Sequence, residues 1–274
     1  MNRTLRQQSE LVLSLAKRDL KARYKDSVLG FFWSLLRPAF LTLILWAVFA
    51  KILQFRSPSE QVPYWLHVLV SVLAWNFFAG SLFDATHSVL ANANLLKKVK
   101  LDCEVFPVAS ILSNAIHFVL ALAIVLVIKV VFGFGLSWHV VFLPFVCAIL
   151  TLLILGVSLY LSALNVFYRD VSGLLDLGTL AWFYVTPIIY SLPMAAERIL
   201  EKTGQWGVDL YMMNPVSPPI VALRRVLLYG GKDTEIADGQ LLVYLGITFA
   251  ASLVITVTGW MLFRRLSPRF ADEL

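Results

Sequence analysis

The residues best able to bind a metal or move a proton are His67, His87, His117 and His139, and they are scattered along the chain without metal-ligand spacing. No His-Glu-x-x-His is present, and no Gly-x-Ser-x-Gly elbow places a serine for nucleophilic attack. No Gly-x-x-x-x-Gly-Lys-Ser/Thr loop is present to cradle a nucleotide's phosphates, so this chain is not expected to hydrolyse ATP. Cys103 and Cys147 supply no disulfide framework. Asp84 and Asp176 fall in apolar stretches, where a carboxylate is costly unless it meets water, protein or the interface. Both lie near the expected cytosolic ends of their segments, so interfacial solvation accounts for them. The inventory gives no catalytic residue and no metal site.

The composition explains what surrounds these residues. The chain has 274 residues, is 59% hydrophobic and only 15% charged, with a mean hydropathy of +0.78. A water-soluble domain is about half apolar and a quarter charged, so the solvent here is lipid. The net charge of +6 would suggest nucleic acid in a soluble protein. No base-reading motif accompanies it, and membrane topology explains it better. The residues before the first apolar run form too long and too charged a leader for a secretory signal peptide.

Residues 5–25 predict an amphipathic helix, with Leu11, Val12, Leu13, Leu15, Ala16 and Leu20 on one half and mostly charged residues on the other. A basic amphipathic helix beside a span lies in the interface plane; packing on a cytosolic partner is the alternative. The stretch Arg23-Tyr24-Lys25-Asp26-Ser27-Val28-Leu29-Gly30-Phe31-Phe32-Trp33 then marks the passage from cytosol to bilayer. Six apolar segments follow, at about 31–53, 64–90, 105–131, 140–166, 171–192 and 241–263. Pro38 is expected early in the first span, where its missing N–H costs least. Arg37, Lys51 and Lys129 are expected to snorkel to the interfaces. The stretch 193–239 reads as a long polar outer segment. Within it Asn214-Pro215 reads as a helix cap before an apolar run, 216–229, too short to span.

The positive-inside rule sets the orientation. Arg3, Arg6, Lys17, Arg18, Lys21, Arg23, Lys25 and Arg37 precede the first span. Lys97, Lys98, Lys100, Arg169, Arg264, Arg265 and Arg269 fall on the same side. Fifteen of the 23 basic residues are therefore inside and eight outside, with both termini in the cytosol.

Several motifs are similar to those of type 2 ABC exporter membrane subunits, in the branch that exports O-antigen, capsule or teichoic-acid polysaccharides. They are Arg-Tyr-Lys-x-Ser-x-Leu-Gly-x-x-Trp-x-x-x-x-Pro from Arg23, then Asn92-Ala93-Asn94-Leu95-Leu96-Lys97-Lys98, Asn165-Val166-Phe167-Tyr168-Arg169-Asp170-Val171, and Met213-Asn214-Pro215 followed by Arg224. The resemblance implies one all-α integral membrane domain over 1–274. Residues 1–30 would be an interface helix and linker, 31–263 six transmembrane helices, and 264–274 a cytosolic tail. Re-entrant outer gate helices would lie between spans five and six. Relatives commonly read Lys-x-x-x-Phe-Pro-x-Glu after the helix between spans two and three. Here Lys98-Val99-Lys100-Leu101-Asp102-Cys103-Glu104 lacks that proline, so the loop's shape is not carried over.

The resemblance also implies function. This chain would be a permease in the bacterial cytoplasmic membrane, with no cofactor of its own. It would pair with a second copy of itself and with two copies of a nucleotide-binding ATPase subunit that binds ATP and Mg. The cargo would be a lipid-linked glycan; drugs or small lipids, or membrane-embedded enzyme work, are the alternatives. ATPase docking falls to Leu95, Leu96, Lys97, Lys98 and Glu104, with Tyr168, Arg169 and Asp170 beside them. The outer gate falls to Asn214, Pro215 and Arg224. Sugars stack on aromatic faces, so Trp46, Phe49, Trp182, Phe183, Tyr184 and Tyr190 are candidates to line the path.

Overall fold

The amphipathic segment forms α1 (Leu5–Tyr24). Leu15 and Ala16 are buried against Val105, Phe106 and Ala109, with Leu11 and Val12 partly covered. Leu13 stays half exposed, so the buried stripe is narrower than the apolar half of the helix. The computed structural model describes residues 5–24, 32–59, 61–98, 102–230 and 236–273. Lys25 to Phe31 of the basic-aromatic motif, and Val99 to Leu101, lie outside the described residues.

Among the described residues, four helical segments are long and apolar enough to cross a membrane: Tyr64–Lys97, Val105–Val131, Trp138–Phe167 and Asp238–Arg269. They coincide with expected spans two, three, four and six. They contain α3 (Tyr64–Ala91), α5 (Val105–Val131), α6 (Leu143–Phe167) and α11 (Asp238–Leu266), with the short α4 (Ala93–Lys98) after α3. All described elements are helical, with no strand among the described residues. The centre is α3, which packs on α2, α5, α6 and α10.

At expected span one, α2 (Phe32–Trp46) continues as a wider π turn, Ala47–Ile52, where Leu53 N–H reaches back to Val48 O at 3.1 Å. Pro38 is the seventh residue of the described helix. That is past the first turn, so the expectation that its missing N–H costs least there is corrected. The Lys51 Nζ lies 5.3 Å from the Trp46 ring, an attraction of the cation to the ring face.

At expected span five, α7 (Asp170–Val185) has 16 residues, about 24 Å at 1.5 Å per residue. The expected boundary at 192 is corrected. Pro187 follows Thr186 and excludes it from helical geometry; Thr186 is extended at φ −90, ψ 141. The chain then forms α8 (Leu192–Thr203) and α9 (Gln205–Met212), separated by Gly204 at φ 73. This part of the polar segment is therefore helical. Next comes α10 (Ser217–Arg224), prolonged by a π turn to Tyr229. Every residue from Val216 to Tyr229 is buried, and α10 packs on α3, α6 and α11. Gly230 ends it in the left-handed region at φ 58, with Ser137 2.6 Å from where a Cβ would sit.

One local expectation also changes. The Asn214 side chain closes an Asx turn by accepting Val216 N–H at 3.2 Å, and α10 starts three residues later. Asn92 ends α3, its Nδ2 donating to Ser88 O at 2.8 Å, while its carbonyl accepts from Leu95 and Leu96. The tightest helix pair is α6 with α11. A Cβ on Gly156 would meet Thr256 N at 2.8 Å, and one on Gly259 would meet Gly156 O at 2.8 Å. Small residues let membrane helices approach this closely.

Candidate functional site

The first cluster of candidate residues lies around α4 and the turn after α6. On α4, Leu95 is 38% exposed and Lys97 is exposed. Lys98 belongs to the helix, and its side chain lies outside the described residues. Leu96 points inward and packs with two apolar groups. One contains Val89, Val166, Phe263 and Phe270; the other contains Leu15, Val105 and Phe106. Tyr168 is 64% exposed, and Arg169 and Asp170 are exposed beside it. The turn that holds them is mounted on the same apolar group, because the Phe270 ring packs 5.9 Å from Phe167 and 5.3 Å from Phe263. Phe270 comes from α12 (Phe270–Glu273), in the segment read as a tail. Its full burial contributes roughly 2–3 kcal/mol. The lone Phe among Ser, Pro, Arg, Asp and Glu was the available sequence signal for this anchor.

Glu104 faces its own chain. Its carboxylate accepts from Trp260 Nε1 at 2.8 Å and from Arg264 Nη2 and Nε at 2.9 and 3.2 Å. The Arg264 guanidinium stacks 4.1 Å above the Trp260 ring. Nearby, Gln8 of α1 donates to Asp102 at 2.7 Å. Cys103 packs in the Phe270 group, and burial pushes its thiol pKa up, so it stays protonated and weakly nucleophilic. Cys103 and Cys147 are not joined by a disulfide.

Asp84 is neither bare nor simply solvated. It pairs with Arg23 at the end of α1 and accepts from Asn114 Nδ2 at 2.7 Å, while Arg23 also donates to Asn114 Oδ1 at 3.0 Å. This triangle pins α1 to α3 and α5. Above it, His87 Nε2 meets Ser172 Oγ at 2.8 Å and Nδ1 meets Phe83 O at 2.8 Å. A carbonyl only accepts, so Nδ1 carries a proton, and in the neutral ring Ser172 donates to Nε2. Asp176 is exposed on α7. No group of three or more His, Cys, Asp or Glu that could hold a metal occurs among the described residues.

The second cluster lies around the break after α7. Asn214 accepts from Trp182 Nε1 at 2.8 Å and donates to Thr186 Oγ1 at 3.0 Å. Arg224 is fully buried and donates to Ser71 Oγ at 3.1 Å and to Pro187 O at 2.5 Å. Both gate candidates thus hold Thr186–Pro187 against α10, and Pro215 follows Asn214 in its turn. Tyr229 at the end of the π turn meets His67 Nδ1 at 2.5 Å. Lys129 does not snorkel outward as expected. It is buried, and its Nζ donates to Leu227 O and Leu228 O at 2.6 and 3.2 Å, capping carbonyls that the helix end leaves without partners.

The aromatic path candidates divide by surroundings. Trp182 packs edge-on to Phe78 at 5.2 Å, and Phe183 edge-on to Trp75 at 5.6 Å, so both rings bind α7 to α3. Trp46 and Phe49 are half-buried against the same core. Tyr190 donates to Tyr184 O at 3.0 Å and meets Tyr211 OH at 2.9 Å. Of the six, Tyr184 has the most open ring, 61% exposed.

The sequence pattern of the family described as ABC-2 type transporter matches residues 10–228. The chain belongs to the ABC-2 type transporter family. The family match begins within α1, takes in α4 and the whole of α10, and stops before α11. Similarity to individual family members extends further. The chain is 33% identical over 272 residues to the O-antigen export system permease protein RfbA of Myxococcus xanthus, covering 99% of this chain and 98% of that protein. It is 28% identical over 267 residues to the RfbA permease of Klebsiella pneumoniae, covering 97% and 95%. An ABC-2 permease works on transport and not on covalent chemistry, in keeping with the lack of a phosphate loop.

Proposed function

We propose that this chain is the permease subunit of an ATP-driven exporter that moves a lipid-linked, O-antigen-like polysaccharide across the bacterial cytoplasmic membrane. The observation that carries this reading is the near full-length similarity to O-antigen export permeases. In this reading α2 and α7 complete six spans with the four long helices, α1 lies at the inner interface, and both termini are cytosolic. Two permeases assemble with two nucleotide-binding ATPase subunits, which bind ATP and Mg. Leu95, Lys97 and Lys98, with Tyr168 to Asp170, form the docking face. The shared apolar platform under Leu96 and Phe167 moves both parts of that face together.

A second copy and the cargo path account for α7. Its Leu174, Leu177 and Tyr184 are exposed, and nothing lies within 4 Å of where a Cβ would sit on Gly173 or Gly178. Asp176 on the same helix is costly in lipid, so this helix faces a partner or a water-filled path. Tyr184 then offers its ring to a sugar. Asn214, Pro215 and Arg224 hold the outer gate region in place.

Deleting the gene tests the proposal. Surface polysaccharide should disappear, lipid-linked glycan should accumulate inside, and the restored permease should reverse both. Unchanged surface polysaccharide with altered sensitivity to drugs would replace the glycan reading with a small-molecule one.

A further inference from the structure

We infer that Glu104 is a transmission residue: it passes displacement of the α4 segment into the cytosolic end of α11 and does not itself touch the ATPase. This rests on the docking role proposed for α4. Glu104 closes the short turn at the start of α5, next to Val105 and Phe106, on which Leu96 of α4 packs. Its side chain is only 20% exposed, and the carboxylate already accepts from Arg264 and Trp260. A partner protein would find few lone pairs left to use.

The surroundings make this contact a bridge. Beneath it lies an apolar crevice of about 290 Å³, lined by Val12, Val105, Val108, Leu155 and Thr256. α5 and α11 therefore do not close on each other at this depth, and the Glu104 cluster spans the gap. The bond from Gln8 to Asp102 ties the same turn to α1. A bidentate carboxylate–guanidinium pair fixes direction as well as distance, and the stack of Arg264 on Trp260 removes the remaining swing of the guanidinium. Arg264 is 54% exposed, so solvent screens the pair and its share of folding stability is small. Its value is in geometry.

The route continues outward. α11 is one uninterrupted helix of 29 residues, about 43 Å long at 1.5 Å per residue. At its outer end Tyr244 donates to Asp209 of α9 at 2.6 Å, and Asp238 pairs with Arg225 at 2.8 Å. A push on α4 thus reaches the outer segment through a stiff element, without repacking the core around α3.

The test uses the permease co-expressed with its ATPase, reading three quantities: ATPase retained on the purified permease, ATP hydrolysis, and surface polysaccharide in cells. Glu104→Gln and Arg264→Gln should keep the ATPase bound and hydrolysing within about twofold, while export per ATP falls by about fivefold, as for other residues along a coupling network. Glu104→Arg combined with Arg264→Glu should restore most of the export. Trp260→Phe, which removes one N–H and keeps the ring, should give a smaller loss in the same direction. Loss of the ATPase from the Glu104→Gln complex would make Glu104 a docking residue and overturn the inference. So would full export in both single variants, or a charge swap that restores nothing. Failure of the underlying reading would show in the parent protein itself, as a permease that retains no ATPase.

Discussion

Arg224 and Trp182 show how polar and aromatic residues around the break after α7 hold their positions by bonding inward. Arg224 donates from the one nitrogen Nη1 to both Ser71 Oγ and Pro187 O, with no exposure. Methionine keeps most of the stem and has no donor for either acceptor. Arg224→Met should therefore lower stability by about 1.5–3 kcal/mol, the usual worth of a hydrogen bond to a charged group; thermal unfolding of the purified protein would show it, and an unchanged melting temperature would show that these bonds do not hold the break after α7. Trp182→Ala and Tyr184→Ala separate packing from a path role. The Trp182 ring packs on Phe78 and bonds Asn214, so its loss should cost roughly 3 kcal/mol and reduce the protein recovered from membranes. Tyr184 is mostly exposed, so Tyr184→Ala should leave stability unchanged yet lower surface polysaccharide. Normal export from that variant would take Tyr184 off the path.

At the scale of elements, α6 and α11 give the sharpest contrast between glycines. Gly259→Val would drive side-chain atoms into Gly156 O, a backbone atom that cannot swing away, so α11 should separate from α6 and the protein should be lost from membranes. Gly246 lies in α11 with nothing within 4 Å of where a Cβ would sit. Gly246→Ala should be neutral, or stabilise by up to about 1 kcal/mol through helix propensity. Equal behaviour of the two variants, read as membrane level and melting temperature, would show that this close approach is not structural. The elements also show what was readable in the sequence. Long apolar runs announced α3, α5, α6 and α11, because a span needs length and apolarity and little else. The periodicity of α1 was equally plain. The end of α7 was missed because Pro187 interrupts a run that stays apolar through Ile188, Ile189 and Tyr190; composition did not show the break, although proline did. α8 and α9 were hidden by polarity, which amphipathic helices share with loops. The partners of Glu104 and Lys129 come from residues 98 or more positions away, and no local pattern carries that information.

For the whole molecule, orientation is the property on which the functional reading depends. Docking requires α4, the Tyr168 turn and α12 on one side of the membrane, and the outer segment on the other. The fold itself joins the first three, since Leu96, Phe167 and Phe270 share one apolar group, so they cannot lie on opposite faces. The positive-inside rule predicts a cytosolic position for that group, from Lys97, Arg169, Arg264 and Arg269 on the same segments. Single cysteines can report this if they are placed where the structure tolerates them. Thr203 and Ser267 are poor positions, because each hydroxyl donates to a backbone carbonyl, Ile199 O and Arg264 O. Glu201 on α8 and Asp272 on α12 are exposed. In a background with Cys103→Ala and Cys147→Ala, Glu201→Cys should react with a membrane-impermeant maleimide added to spheroplasts. Asp272→Cys should react only after the membrane is opened. Labelling of Asp272→Cys in closed spheroplasts, or protection of Glu201→Cys until lysis, would invert the molecule. It would then place α4 and its apolar platform where no ATPase could reach them.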